Sequence, residues 1–459
     1  MTTSTSQNTH ETDTANNASY TTISTILTLA IPTFGQLIAE PAFVLIDTAI
    51  VGHIGGQALA GLSVGSTIVL TVVGLCVFLA YSTTSQVGRL LGAGKRREGL
   101  EAGIDGLWLA GIIGVVVSVA LFVIARPLCM AMGAQGSVLH NAVDYVRAVV
   151  FGIPGMLLVY AANGIFRGLQ KVRITLVAAT LGAILNTLLD LLFILGFGWG
   201  VFGSGVATLI SQWFMAVVLI VPAMLWTRAE GARLRPRLSG VLNSAGDGAV
   251  LFLRTLALRA CLVANVVLAT HMGVEVLAAY QVVNSSWNFV LNMLDAIGIA
   301  GQTLVAAQIG ARQEDEAMRL TRIAGKAGLC GGTVIGIGLM IAGWCASPLF
   351  SQSIEIQHLL TVGMVVVGVT LPLAGWMWAV DGILIGAGDY RYLALTCTAT
   401  AAIYVPCLAA IGWICDAMQA SSALRMALLW LAVNLLFVGL RAIFNGSRIG
   451  TSTWLHIAH

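Results

Sequence analysis

Apolar runs long enough to cross a bilayer follow one another along almost the whole chain, and they limit how it can fold more than any other feature. Only 9% of the 459 residues are charged, against about 25% in a soluble domain. The sequence therefore predicts an all-α integral membrane protein with twelve transmembrane helices. The predicted spans are residues 22–51, 60–87, 99–126, 143–166, 174–196, 203–226, 249–273, 275–308, 322–346, 358–385, 391–414 and 421–445.

Basic residues are concentrated in alternate loops. The loops after spans 2, 4, 6 and 8 contain Lys and Arg, whereas the loops after spans 1, 5, 7 and 9 contain neither. Because Lys and Arg accumulate on the cytoplasmic side of a membrane, we expect both termini to be cytoplasmic and the protein to lie in the cell (inner) membrane. Residues 1–21 are rich in Ser, Thr and Asn and lack the basic start of a signal peptide, so we expect a disordered cytoplasmic tail.

The two halves of the sequence are related by a shift of 218 residues without a gap: residues 53–60 lie over 271–278, and 164–168 lie over 382–386. Each half contains six spans, and an even number returns the chain to its starting side. We therefore predict two like-oriented six-helix bundles related by a pseudo-two-fold axis along the membrane normal. The predicted organisation is a tail (1–21), a first lobe (22–226), a cytoplasmic linker (227–248), a second lobe (249–445) and a C-terminal tail (446–459).

Two such bundles suit transport by alternating access, in which a site between them faces either side of the membrane in turn. The sequence contains neither a Walker A motif nor a His-Glu-x-x-His motif, and the eight cysteines lack metal-ligand spacing. We therefore expect no enzymatic activity, no bound metal and no cofactor other than a coupling ion.

Acidic residues inside the apolar runs mark the candidate site, because an unpaired charge at mid-bilayer costs about 2.5–3.5 kcal/mol. Asp47 and Asp190 fall in the outer half of the first lobe, and Asn186 precedes Asp190 by one turn on the same helix face. The shift places Asn265 and Leu408 at the equivalent positions, so the acidic pair is confined to one half. We expect the pair to bind a coupling ion; a structural role is the alternative.

Weaker candidates for a substrate-binding cleft lie mostly in the second lobe. The polar residues of span 8 either contact substrate or join one helix to another, and a Trp of span 10 either lines the cleft or anchors the interface. We expect Asp381 to pair with Arg391, and Arg254 to reach the interface or neutralise a carboxylate. The cleft candidates are Glu40, Asn284, Asn288, Asn292, Asp295 and Trp376.

These residues resemble the multidrug and toxic compound extrusion (MATE) family, and more closely its DNA-damage-inducible F (DinF) branch. The resemblance covers residues 22–445 and implies twelve helices in two lobes that export bulky cationic or amphiphilic compounds in exchange for protons or sodium. The motifs that carry it are Pro32, Pro41, Asp47-Thr-Ala-Ile-Val-Gly52-His53-Ile, Ser82-Thr83-Thr84, Asn186 with Asp190, Leu294-Asp295 and Asp381-Gly-Ile-Leu-Ile-Gly386-Ala-Gly.

The resemblance also implies roles for individual residues. Gln302 stands where some branch members carry an acid, so a second carboxylate beside Asp295 is missing, which argues against a coupling site in the second lobe. Ala374 stands where sodium-coupled relatives carry an acid, so protons are favoured over sodium. The implied ion site is Asp47, Asn186 and Asp190, with Asn163 and Thr208 as further members, and Pro32 and Pro41 are the implied helix-bend positions.

A flippase for lipid-linked or polysaccharide precursors, from the same superfamily, is the alternative function. The expected partners are small cationic or amphiphilic molecules and membrane lipids, with no nucleic acid, and we expect a monomer.

Overall fold

The computed structural model describes residues 5–457, and it describes side chains from residue 24 onward except those of residues 40 and 43. The described chain is helical, with no strand in that range. Two short helical turns, Ser347–Phe350 and Thr453–Leu455, accompany twelve long helices. These are α1 (Thr5–Gly52), α2 (Gly56–Gly92), α3 (Arg96–Ala131), α4 (Gly136–Gly168), α5 (Val172–Gly196), α6 (Gly200–Ala229), α7 (Leu238–His271), α8 (Val274–Gly310), α9 (Glu314–Cys345), α10 (Ile354–Ala387), α11 (Tyr390–Ala417) and α12 (Ser422–Ile449).

The predicted twelve membrane spans are confirmed, since each of the twelve helices is long and apolar enough to cross a bilayer. Large apolar side chains remain exposed along them, as expected where helices face lipid. Two helix starts differ from the prediction by more than ten residues. Helix α1 extends back to Thr5, over residues predicted to be a disordered tail, and α7 begins at Leu238, inside the predicted linker 227–248. Extending an existing helix costs less than nucleating one, so polar flanking residues can continue a span.

The chain divides into two compact units. One comprises Pro32–Phe252, and the other comprises the chain from Leu253 onward together with the described residues before Pro32. The predicted linker therefore belongs to the first unit.

Arg233 binds the linker to helix α3 of this unit. Its guanidinium donates to the buried carboxylate of Asp105 at 2.8 Å and to Glu101 at 3.1 Å, both on α3. The hydrogen bond to Asp105 and the negative charges of Asp105 and Glu101 raise the pKa of the Arg233 guanidinium. Arg233 therefore stays charged and holds the linker against α3.

The sequence repeat is visible in the backbone. Helices α2, α3 and α5 begin at residues 56, 96 and 172, and α8, α9 and α11 begin 218 residues later at 274, 314 and 390. Backbone torsions repeat in the same register, because three residues with left-handed φ angles recur at equivalent turns. These pairs are Gly55 and Gly273, Gly94 and Arg312, and Gln170 and Gly388.

Close helix packing explains the glycine motif that the two halves share. A Cβ atom added to Gly382 of α10 would lie 2.3 Å from the carbonyl oxygen of Gly298 on α8, and one added to Gly386 would lie 2.6 Å from that of Gln302. Only glycine allows so close an approach between main chains. The equivalent contacts in the first unit join Gly164 to Ala80 at 2.8 Å and Gly168 to Thr84 at 3.0 Å.

A second row of glycines joins α9 to α10. Gly328, Gly332 and Gly336 recur every four residues on α9. A Cβ atom added to each would lie 2.3, 2.5 and 2.3 Å, respectively, from a carbonyl oxygen of α10. Small residues at this spacing form one face of a helix. Since lipid gives helices little hydrophobic reason to associate, such close packing is a main source of stability.

We predict that Gly382→Ala lowers the stability of the protein by about 1–3 kcal/mol, because the added methyl group would force two backbones apart. Gly338→Ala is the matched control, since a Cβ at that exposed helical position meets nothing within 4 Å. The control should be neutral or stabilise the helix by up to about 1 kcal/mol. Thermal unfolding of both variants in detergent measures the effect, and equal unfolding temperatures would contradict the packing argument.

Candidate functional site

Two aspartates from different helices meet inside the first unit. Asp47 lies on α1 and Asp190 on α5, and their side chains are close enough to interact directly. Asp47 is 6% exposed and Asp190 is fully buried. No ion pair to either carboxylate occurs within the described residues. The site therefore places two acidic groups side by side, and none of the described basic residues pairs with them.

Hydroxyl groups from α6 complete the immediate surroundings. Ser204 and Thr208 are one helical turn apart and lie beside Asp47, and Thr208 also lies beside Tyr145 of α4. Gly205 allows this approach, because a Cβ there would lie 3.0 Å from the carbonyl oxygen of Tyr145. The glycine thus brings the hydroxyl-bearing face of α6 against α4.

Buried oxygen atoms without a hydrogen-bond partner are concentrated around this site. Neither Asp190 oxygen has a partner of acceptable geometry, and one Asp47 oxygen also lacks one. Leaving a buried polar atom unsatisfied costs about 1–3 kcal/mol, and more when the atom is charged. A proton or another cation would relieve this cost. The remaining unpartnered oxygens of this unit belong to Asn163, Asn186, Ser204, Thr208 and Ser211.

The predicted asparagines lie on the helices that frame the site. Asn186 is 2% exposed and precedes Asp190 by one turn of α5, and Asn163 is 3% exposed on α4. Arg167, one turn after Asn163, donates to Gln36 of α1 at 2.7 Å and so joins α4 to the helix that carries Asp47. The structure therefore places both asparagines on helices of the site, and their role as ion ligands stays a prediction.

The helices at the site depart from regular geometry. A π-helical segment, Leu191–Gly196, follows Asp190 directly, and such segments are frequent at functional sites. Helix α1 contains Pro32 and Pro41, each of which removes a main-chain donor from the helix. The prolines therefore weaken α1 at these two positions, and a bend of the helix there stays a prediction. The side chain of Glu40 lies outside the described residues.

The predicted cleft residues of the second unit are spread along α8 and α10. Asn288 is exposed and donates to the main-chain oxygen of Asn284 at 2.8 Å. Asn292 and Asp295 are half-buried farther along α8. The ring of Trp376 is the nearest neighbour of Gly325 on α9 and Gly446 on α12, so it fills the space between these helices. Contact of these residues with substrate stays a prediction.

The expected pairing of Asp381 with Arg391 is wrong. Asp381 is buried and accepts hydrogen bonds from Arg254, from Arg441 and from Asn445. Arg391 lies exposed at the start of α11. A buried carboxylate needs partners that are themselves buried, and α7 and α12 supply them. Of the two roles considered for Arg254, neutralising a carboxylate is the one observed.

Three residues that matter here were missed from the sequence. Ser204 could have been found, because it lies one turn from Thr208 on the same face of α6. Arg441 could have been found as a basic residue inside span 12. Tyr145 gave no signal, since a tyrosine in a membrane helix is common and its neighbour Thr208 is distant in sequence.

Comparisons with known proteins agree with this architecture. A family model described as MatE matches residues 32–192 and 238–410. The chain is 28% identical to Protein DETOXIFICATION 44, chloroplastic, of Arabidopsis thaliana, over 93% of this chain and 82% of that protein. It is 26% identical to DNA damage-inducible protein F of Escherichia coli (strain K12), over 90% of this chain and 89% of that protein.

Solved structures share the fold. The Vibrio cholerae MATE transporter VcmN in the bent form matches with a TM-score of 0.85 and 18% sequence identity, covering 96% of this chain and 99% of that chain. At 18% identity this similarity establishes the arrangement of the helices and nothing about the chemistry of the site.

We predict that Asp190→Asn raises the unfolding temperature in detergent at about pH 9, because the wild type must there either bury two adjacent carboxylate charges or keep a proton on one of them at high pH, and Asn removes this cost while keeping the side-chain shape. A gain of 1 kcal/mol corresponds to a rise of about 2–4 °C for a unit of this size. The advantage over the wild type should shrink at about pH 5, where protons relieve the repulsion.

Asp144→Asn is the matched control, because Asp144 lies on α4 in the same unit but is partly exposed and pairs with His140. It should leave the unfolding temperature at pH 9 nearly unchanged. A lower unfolding temperature for Asp190→Asn than for Asp144→Asn would contradict the charge argument.

Proposed function

The chain belongs to the MatE family of transporters, and from its acidic site we propose that it is a secondary active multidrug exporter. It would expel bulky cationic or amphiphilic compounds in exchange for protons by alternating access. The observation that carries the proposal is the contact between Asp47 and Asp190, two buried carboxylates that have no cationic partner in the part of the chain that the structure describes. Such a pair is costly unless it binds a cation, and reversible cation binding is what an exchanger requires.

A proton suits this site better than sodium. One proton shared by the two carboxylates forms a strong charge-assisted hydrogen bond and needs no further ligands. Within the described chain Asp47 interacts with Asp190 and with the hydroxyls of Ser204 and Thr208. The carboxyl pair alone suffices for a proton, whereas a metal ion would also need these hydroxyls to converge on it. At the position where sodium-coupled relatives are expected to carry an acid, the buried residue is Ala374. These features support proton coupling.

Coupling follows from competition between charges. When the site is deprotonated, its negative charge favours a cationic compound in the binding cleft; when a proton binds, that attraction weakens and the compound can leave. A decisive switch from 1:99 to 99:1 requires a preference of about 5.5 kcal/mol for one state. A membrane potential supplies about 2.3 kcal/mol per charge per 100 mV, so a difference in proton affinity between the two states supplies the rest.

The alternatives have less support. The relatives include Protein DETOXIFICATION 44 and DNA damage-inducible protein F, and neither name points to a lipid-linked precursor or to an enzyme. We therefore favour export of toxic compounds over a flippase. We also propose an inner-membrane protein with cytoplasmic termini, because Lys and Arg are concentrated in alternate loops, and a monomer surrounded by lipid.

We predict that Asp47→Asn abolishes gradient-driven transport of a cationic dye in proteoliposomes, while the protein still folds. Asn matches the neutral form of Asp in shape, so the variant should be trapped in the protonated state. Asp144→Asn, whose carboxylate is partly exposed at a pair with His140, should transport like the wild type. Full transport by Asp47→Asn, with normal unfolding, would contradict the proposed role of the acidic site.

The same vesicles identify the coupling ion. A proton gradient imposed alone should drive dye accumulation in the wild type, and a sodium gradient imposed alone at equal pH should not. Accumulation driven by sodium alone would overturn proton coupling while leaving the acidic pair as the ion site.

A further inference from the structure

The two units differ in the kind of buried polar atom that lacks a partner. In the first unit these atoms are mainly oxygens, as described above. In the second unit several are N–H donors: the Nε of Arg441 and the Nε1 atoms of Trp287 and Trp430 lack acceptors of suitable geometry. Each of these side chains is at most 3% exposed. A buried N–H group without an acceptor favours a ligand that can accept a hydrogen bond, such as an anion, whereas the acidic pair of the first unit favours a cation.

Arg441 also shares the carboxylate with which it pairs. Asp381 is the one carboxylate that pairs with Arg441 in the part of the chain that the structure describes, at 3.1 Å from Nη2. The other oxygen of Asp381 accepts from Arg254, and Asn445 donates to the same oxygen as Arg441 at 3.1 Å. Arg441 therefore shares its carboxylate with a second buried guanidinium. Its Nε donor has no acceptor among the described residues, and a buried donor without an acceptor is costly.

Aromatic rings connect the arginine to the unpartnered indoles. The guanidinium of Arg441 lies 5.1 Å from the ring centre of Trp378, whose ring meets Trp287 edge to face at 6.3 Å. Trp287 in turn lies 6.1 Å from Trp430. These four residues form a continuous arginine–tryptophan cluster. Trp378 is half-buried, so the cluster has one partly accessible member.

We propose that the arginine–tryptophan cluster binds a small monovalent anion, with Arg441 as the charged ligand. A halide ion or the carboxylate of an organic solute has the required chemistry: a negative charge and several acceptor directions for N–H groups. A planar guanidinium suits carboxylates especially well, since it can donate two parallel hydrogen bonds. The inference goes beyond the proposed exchange function, because it concerns a different unit, the opposite charge and binding alone.

A matched set of variants tests the proposal. Arg441→Gln removes the charged ligand, whereas Asp381→Asn removes the carboxylate that competes with the anion for the same guanidinium groups. Arg448→Gln is the control, because Arg448 also lies on α12 and over an aromatic ring, that of Tyr392 at 4.8 Å, but has its own carboxylate, Asp389, at 2.6 Å.

The measurement is calorimetric titration of the purified full chain with sodium chloride in a zwitterionic buffer free of other small anions. We expect saturable binding in the wild type. Arg441→Gln should weaken it at least about tenfold, as expected for loss of a charged hydrogen bond. Asp381→Asn should tighten it, and Arg448→Gln should leave it unchanged. Tighter binding cannot result from misfolding, so the proposal remains testable if Arg441→Gln fails to fold.

Sodium benzoate, titrated in the same way, distinguishes the two sources of the anion. If benzoate binds and displaces chloride, the site accepts the carboxylate of an organic solute; if chloride alone binds, the ligand is an inorganic ion. Absence of saturable binding of either anion to the wild type would overturn the proposal. Equal effects of Arg441→Gln and Arg448→Gln would overturn it as well. Neither result would affect the dye transport that tests the exchange function.

Discussion

Close contact between helix backbones is the interaction on which this structure depends. Lipid tails are as apolar as the side chains that face them, so burying leucine or valine between helices gains little in a bilayer. Glycines that rest against carbonyl oxygens bring main chains together instead, as at Gly382 and Gly298. Because the same contact recurs between Gly164 and Ala80, each unit is assembled around an equivalent helix pair.

The two units share this helix packing but differ in their buried polar side chains. The first unit buries Asp47 against Asp190, and the positions related to them by the repeat are the buried residues Asn265 and Leu408. In the second unit the Oδ1 atom of Asn265 accepts a hydrogen bond from Tyr404 at 2.5 Å. One half therefore keeps an unsatisfied acidic pair where the other has a satisfied amide, and this asymmetry is the basis for locating ion exchange in the first unit.

The sequence was sufficient for the spans and the repeat, since both depend on patterns that persist over many residues. It also indicated Asp47 and Asp190, because a carboxylate inside an apolar run is conspicuous and two helices of one bundle can bring such residues together. The side chains that surround the two aspartates were harder to predict from the sequence. Ser204 shares a helix face with Thr208, but Tyr145 reaches the site only through the packing of α6 against α4.

The error at Asp381 has the same origin. Arg391 is the nearer basic residue in sequence, whereas the observed partners come from α7 and α12, Arg254 and Arg441. Sequence proximity predicts contacts along a helix and at short turns. It says little about which distant helices become neighbours, and burial then selects the partner that is inside the bundle over the one at its surface.

Proton release on substrate binding tests the central claim most directly. A lipophilic cation is added to purified protein in weakly buffered detergent solution near neutral pH, and a pH-sensitive dye reports the protons released. If the cation competes with a proton held by Asp47 and Asp190, the wild type should release up to about one proton per bound cation. Asp47→Asn should release none. Cation binding to the wild type without any proton release, or equal release by the variant, would contradict the account.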